Sequence, residues 1–253
     1  MELTVPVGGG EIWAEDAGVD GTPLVLLHPG WGDADIWSPL ISVLPTRFRV
    51  IRYDDRGFGR SPAPVVPFSR VDDLRAVLDH AGLTDAVIVG HSGGGGIALG
   101  LALSDPDRVA ALILIAPGLP DYPWPADDPY WREFARLHAA GDRDALVSLG
   151  LRTWARAGAD AAARGQVSSA VSTFLTADDL GVDPTPAYDR LGEVRTPAVV
   201  VRGDREYPMV ADCSDRIAAR IPGCRQVVIP GADHLLPLRV PGRLAAIIAG
   251  HAG

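Results

Sequence analysis

Residues 87–96 read VIVGHSGGGG. An apolar run without alternation ends in a histidine and a serine, and four glycines follow. Such a run reads as a strand buried on both faces. The residues that come next, Gly93–Ser104 (GGGGIALGLALS), carry apolar side chains at helical spacing. The stretch is therefore a strand, a sharp turn and a helix, and its glycines have two readings. They cradle a phosphate, or they let the turn present Ser92. A P-loop needs a lysine after the glycines, and none follows. A dinucleotide fingerprint fails as well: in the frame from Gly93 the last glycine is replaced by Ala98, and in the frame from Gly90 the second is replaced by Ser92. The second reading fits, because Gly90-His91-Ser92-Gly93-Gly94 is G-x-S-x-G in a strand-to-helix setting. Small residues at 90 and 94 avoid clashes across the turn. The Gly93 N–H then sits at a helix N-terminus, where free donors and the helix dipole favour an oxyanion. The plainer alternative is an ordinary N-cap serine.

Working outward, similar apolar runs recur at Leu24–Leu27, Val50–Tyr53, Leu112–Ile115, Ala198–Val201 and Gln226–Ile229, alongside Ala86–Val89 itself. Two earlier strands, near Leu3–Pro6 and Glu11–Ala14, are expected to form an antiparallel edge. Helical patterns fall between the runs, at Val71–Ala81, Gly93–Ser104, Val210–Ile221 and Val240–Ala249. Alternation of this kind predicts an α/β fold: a mostly parallel, open twisted sheet of about eight strands flanked by helices. The alternation breaks after Pro117. A proline-rich passage, PGLPDYPWPADDPYW, leads into helical stretches at Tyr130–Ala140, Asp144–Ala157, Ala159–Gly165 and Val167–Thr176. We read residues 119–195 as a helical insertion and residues 1–118 with 196–253 as the core.

The bulk composition narrows the function classes. The chain has 253 residues, 47% hydrophobic and 22% charged, with a formal net charge of −9. No Lys/Arg-rich run is present, so nucleic acid and anionic membranes are not expected partners. The N-terminus has neither a basic nor an apolar leader segment, and no apolar run is long enough for a membrane span, so a cytoplasmic protein is expected. Cys213 and Cys224 do not form a C-x-x-C pair and read as separate thiols. No cofactor motif or metal-ligand set is evident, so neither is expected.

A serine nucleophile needs a base, and the base needs an acid to orient it. After the strand at Ala198 comes Gly203-Asp204-Arg205-Glu206-Tyr207-Pro208, and after the strand at Gln226 comes Pro230-Gly231-Ala232-Asp233-His234. Acid and histidine thus follow the serine in chain order, each beyond the C-terminal end of a strand, where open α/β sheets place their sites.

With these motifs the chain resembles the α/β-hydrolase-fold serine hydrolases over nearly its full length. The resemblance rests on LVLLHPGWGDADIW (24–37), YDDRGFGRSPAP (53–64), GHSGG (90–94), RGDREYP (202–208) and GADH (231–234). It implies Ser92 as nucleophile, His234 as general base and a helical cap formed by the insertion. It places the acid at Glu206, where aspartate is commoner, with Asp204 as the alternative; Asp233 is expected to shape its loop. Gly93 and Gly30 are the implied oxyanion donors, since Pro29 has no N–H to give, and Trp31 is the second choice. Arg56 is expected to anchor the loop after the second long strand by pairing with acids. The substrate pocket is expected to be lined by Trp31, His91, Trp124, Trp131 and Trp154, with packing of the cap as the alternative role for the tryptophans.

The implied activity is hydrolysis of a carboxylic ester or lactone of a hydrophobic small molecule through an acyl-enzyme. The same triad also serves C–C bond hydrolysis, thioester cleavage and acyl transfer or cyclisation, and the fold admits cofactor-free halide or peracid side chemistry. A reading from another class, a non-catalytic small-molecule receptor, would have no reason to keep the triad. Serine at position 92 argues against dehalogenase or epoxide-hydrolase chemistry, which use a carboxylate there.

Overall fold

In the computed structural model, which describes residues 1–18, 20–182 and 186–252, eight strands form one sheet in the order β1-β2-β4-β3-β5-β6-β7-β8. The strands are β1 (Glu2–Val7), β2 (Gly10–Asp16), β3 (Thr22–Leu27), β4 (Phe48–Tyr53), β5 (Ala86–His91), β6 (Val109–Ile115), β7 (Ala198–Gly203) and β8 (Arg225–Ile229). β1 pairs antiparallel with β2, and β2 antiparallel with β4; every other pairing is parallel. The helices are α1 (Ser38–Ile41), α2 (Arg70–His80), α3 (Gly93–Ser104), α4 (Pro129–Ala139), α5 (Arg143–Trp154), α6 (Ala161–Thr176), α7 (Pro208–Arg220), α8 (Leu236–Arg239) and α9 (Pro241–His251).

The unbroken apolar runs have a simple origin. Successive strand residues point to opposite faces, and here both faces are covered. Leu24, Leu26, Val87, Val89, Ile113, Ile115, Val199 and Val201 enter one hydrophobic cluster. Their neighbours Val25, Leu27, Ile88, Leu112, Leu114 and Val200 enter the other. The second cluster is completed by α2, α3 and α7. The first is completed by α9 and by Tyr130, Leu146, Trp154 and Val167 of the segment between β6 and β7. The inserted helices α4, α5 and α6 therefore share a core with the sheet.

Two details differ from the sequence expectations. The pieces Ala159–Gly165 and Val167–Thr176 are one helix, α6. Gly165 lies on its exposed side with open space around it, so the interruption costs only the intrinsic penalty of a helical glycine. The stretch expected as one helix from Asp144 to Ala157 stops at Trp154, because Ala155 leaves the helical region with ψ 47°. None of the described helices is long and apolar enough to cross a membrane. Cys213 is buried, Cys224 is half-buried, and both are free.

Candidate active site

Ser92 stands between β5 and α3 with φ 54° and ψ −117°, a left-handed conformation that costs a non-glycine residue about 1–3 kcal/mol. Its backbone is fixed from the neighbouring strand. The Ser92 N–H donates to Ile115 O at 2.9 Å, and the Gly118 N–H donates to Ser92 O at 2.9 Å. Serine is a favoured N-cap, yet the Ser92 side chain makes no capping bond. Ser69, Asp128, Asp142 and Asp160 do cap their helices. The Ser92 hydroxyl is thus not spent on capping α3, and of the first-turn N–H groups that of Gly95 donates to Ser92 O at 2.9 Å.

The glycine run lets that helix start wedge between strands. A Cβ on Gly94 would lie 2.6 Å from Leu27 O and 2.8 Å from His28 O; one on Gly95 would lie 2.8 Å from Pro117 Cβ. Gly93 is different. It is exposed, and the nearest atom to its missing Cβ is Gly30 N, at 4.0 Å. The two backbone groups expected to hold an oxyanion are thus neighbours beside Ser92. The turn bearing Gly30 is held by His28, whose Nε2 accepts from the Asp55 N–H at 3.0 Å and whose Nδ1–H therefore donates to Pro29 O at 2.9 Å.

His234 and Glu206 come together from the loops after β8 and β7. His234 Nδ1 donates to Glu206 Oε2 at 3.0 Å, and the two side chains are 1% and 0% exposed. Glu206 Oε1 accepts the Tyr207 N–H at 2.8 Å. With Nδ1 carrying the proton, His234 Nε2 is left as the basic nitrogen. Asp204 is engaged elsewhere, accepting the Gly231 N–H at 2.7 Å. Asp233 accepts from the N–H groups of Leu235 and Ala157 and pairs with Arg239, so it shapes its loop and ties it to the segment after α5.

Residues 22–239 match the alpha/beta hydrolase fold family. The chain belongs to this family. Among curated relatives, it is 36% identical over 132 residues to RutD of Caulobacter segnis, a protein that bears the name carbamate hydrolase. That match takes in 49% of this chain and 47% of the relative, so the alignment spans about half the length of the curated protein. Among solved structures, one described as an N-acyl homoserine lactone degrading enzyme superposes with a TM-score of 0.77 at 28% identity, covering 98% of this chain and 99% of that one. A thermophilic esterase from Thermogutta terrifontis superposes with a TM-score of 0.76 at 27% identity, covering 99% and 97%.

Aromatic side chains gather beside His234 and Gly30. The Trp154 ring lies 4.8 Å from the His234 ring. Trp31, next to Gly30, packs against Tyr130, Phe134, Trp154 and Phe174. Trp124 spends its N–H on Leu119 O at 2.8 Å, and its ring lies beside Gly118.

Two expected pocket residues lie elsewhere. His91 is fully buried; its Nε2–H donates to His234 O at 2.8 Å, and its ring lies 4.9 Å from the His234 ring. It supports the histidine loop from beneath and does not line a pocket. Burial, and then the neighbouring His234, push its pKa well below the ordinary histidine value, so it stays neutral. Trp131 is 41% exposed on α4, and its one aromatic partner among the described residues is Tyr130, because its place on the helix turns it outward.

The sequence offered no signal for a second set of residues that tie the insertion to the core. Asp33, three residues after Gly30, is 8% exposed and meets α6. It accepts from Gln166 Nε2 at 2.9 Å and from the Ser169 hydroxyl at 2.6 Å, while its own N–H donates to Gln166 Oε1 at 3.0 Å. Burial alone would raise the Asp33 pKa, but the hydrogen bonds from Ser169, Gln166 and the Asp35 N–H outweigh it and hold the carboxylate below its usual range. Arg156, just past α5, donates to Glu206 O at 2.9 Å. Arg56 pairs with Asp73 through two bonds of 2.6 and 2.7 Å, the loop anchor that its sequence position suggested. A cleft of about 840 Å³ opens beside Phe58, Phe134, His138 and Phe174. It contains none of Ser92, Glu206 and His234; the Trp31 ring packs against its Phe134 and Phe174 walls.

Proposed function

We propose that the chain is a serine hydrolase that cleaves a carboxylic ester or lactone of a mainly apolar small molecule through an acyl-enzyme. The observations that carry this reading are an uncapped, backbone-strained Ser92 and a buried His234–Glu206 couple, its tautomer leaving Nε2 as the basic nitrogen, on a loop held by the neighbouring His91. In the proposed reaction His234 Nε2 takes the proton from Ser92 Oγ as the oxygen attacks the carbonyl carbon. Glu206 holds the imidazole orientation and stabilises the imidazolium. The N–H groups of Gly93 and Gly30 receive the negative charge that develops on the carbonyl oxygen, worth about 3 kcal/mol for each well-aligned donor. The imidazolium then protonates the leaving alkoxide. Water, activated by His234, releases the acid from Ser92.

The inserted helices serve in this reading as a cap: Trp154 covers His234, and the aromatic side chains around Trp31 exclude water. The lactone-degrading and esterase neighbours support the substrate class. The name borne by the RutD relatives extends the same attack to a carbamate carbonyl.

Hydrolysis of a panel of p-nitrophenyl esters of increasing acyl length, together with a lactone followed by pH-stat, tests the proposal. The native chain should turn over at least one substrate, and Ser92→Ala should lower kcat by about 10³-fold or more. Turnover that survives in Ser92→Ala would refute the mechanism.

A further inference from the structure

The serine and the histidine stand on strands that are not neighbours. Ser92 follows β5 and His234 follows β8, and β6 and β7 lie between them in the sheet. At the usual spacing of strands the loop after β8 must reach back about 14 Å to bring His234 beside the end of β5. Most of what holds that loop comes from its own side of the molecule. Asp204 accepts the Gly231 N–H, the Arg205 N–H donates to Ala232 O at 3.0 Å, and Glu206 accepts from His234; all three residues follow β7. Asp233 accepts from the Ala157 N–H and pairs with Arg239. None of these bonds fixes the loop relative to β5. Among the described residues one hydrogen bond does, from His91 Nε2–H to His234 O at 2.8 Å.

The donor of that bond is closely confined. His91 is the last residue of β5, directly before Ser92, and it is 0% exposed. Its ring lies 4.9 Å from the His234 ring and 6.1 Å from the ring of Trp37, itself fully buried. The other ring nitrogen, Nδ1, is buried without a partner, so the bond to His234 O is the one polar tie of the side chain. An unpartnered buried acceptor costs stability, and a phenylalanine or leucine would occupy the place without that cost. What a histidine supplies there, and an apolar side chain does not, is the N–H that meets the backbone of His234.

We propose that His91 is a positioning residue: it fixes the backbone of His234 relative to the adjoining Ser92, and so sets the alignment of base and nucleophile. This inference rests on the serine-hydrolase reading and adds to it what holds the base in register with the serine. A displacement of about 1 Å in such an alignment lowers turnover by about 10²-fold.

His91→Phe keeps a ring and removes the donor, whereas His91→Gln places an amide N–H about where Nε2 lies. Both variants are compared with the native chain at a temperature where circular dichroism shows all three folded; His91→Leu replaces His91→Phe where the phenyl ring is not accommodated. On p-nitrophenyl esters His91→Phe should lower kcat by about 10²-fold with KM within about threefold, and His91→Gln should recover kcat to within about fivefold of native. Phosphorylation of Ser92 by diethyl p-nitrophenyl phosphate, which also needs the base, should slow in step with kcat. The downfield proton signal of His234 Nδ1–H, assigned by its loss in His234→Gln, should move in His91→Phe and return to its native position in His91→Gln. A merely structural role would lower the thermal midpoint and leave kcat and this signal unchanged. Native kcat in folded His91→Phe, or a loss in His91→Gln as large as in His91→Phe, overturns the proposal while native turnover upholds the hydrolase reading. A native chain that neither hydrolyses any ester nor reacts with the phosphate triester refutes the hydrolase reading instead. The proton signal then decides by itself: displaced in His91→Phe and restored in His91→Gln, it upholds His91 as the residue that places His234, and unmoved in His91→Phe, it overturns that role.

Discussion

At the scale of single residues, the site depends on which acid reaches His234. Both candidates follow β7, but their directions differ. Glu206 turns in to His234 Nδ1, whereas Asp204 turns across to the Gly231 N–H. The extra methylene of glutamate does not prevent the contact. Glu206→Gln keeps the volume and removes the charge that stabilises an imidazolium, so kcat should fall by about 10³-fold, while Asp204→Asn should cost less than about tenfold. The reverse order in ester kinetics would move the acid to Asp204. His91 makes a pH-dependent prediction. Its folded pKa is depressed, so its contribution to stability is present above the ordinary histidine value and is lost as pH falls and the unfolded chain takes up the proton. The native thermal midpoint should drop between about pH 7 and pH 5, and His91→Gln should flatten that slope. Parallel slopes in the two proteins would show that other groups set the acid limb. The same residue shows what the sequence could not reveal. Its place before Ser92 suggested a pocket position, but the alternation of β5 sends its side chain beneath the histidine loop.

At the scale of elements, the four glycines resolve into separate roles. Gly94 and Gly95 let α3 begin against the ends of β3 and β6, while Gly93 leaves the elbow open beside Gly30. A methyl group at 94 would press on the carbonyls that close β3. Gly94→Ala should therefore destabilise by about 1–3 kcal/mol, read as a lower urea midpoint at unchanged m. Gly165 is also helical but has open space around it, and Gly165→Ala should stabilise by about 0.5–1 kcal/mol. Equal effects of the two substitutions would mean that helix propensity, and not the contact with β3, governs position 94. Strand and helix positions were legible because buried runs and helical periodicity are local signals. The unity of α6 was not, because a glycine weakens a helical pattern on paper far more than it weakens a packed helix.

At the scale of the whole molecule, the helices between β6 and β7 are tied to the core close to His234 and Glu206. α6 holds Asp33, the segment after α5 holds Glu206 O through Arg156 and Asp233 through the Ala157 N–H, and Arg239 reaches back to Asp160. Removing the Asp33 carboxylate would leave the Gln166 amide, the Ser169 hydroxyl and the Asp35 N–H short of a partner, a loss of about 1–3 kcal/mol for each group left unpaired and buried. Asp33→Ala should raise amide exchange in α6 while β5 and β6 keep their protection. Unchanged exchange in α6 would show that the shared hydrophobic core alone holds the insertion. By itself, the amino-acid sequence determined the α/β layering, the run of helices between β6 and β7, and the strand–turn–helix that carries Ser92, because each is written in residues adjacent along the chain. Only the tertiary structure decided that Glu206 and not Asp204 meets His234, that His91 lies beneath the site, and that Trp31, Tyr130 and Trp154 converge. Those relations join residues far apart in sequence, and their geometry is set by loop paths and packing that no local pattern records.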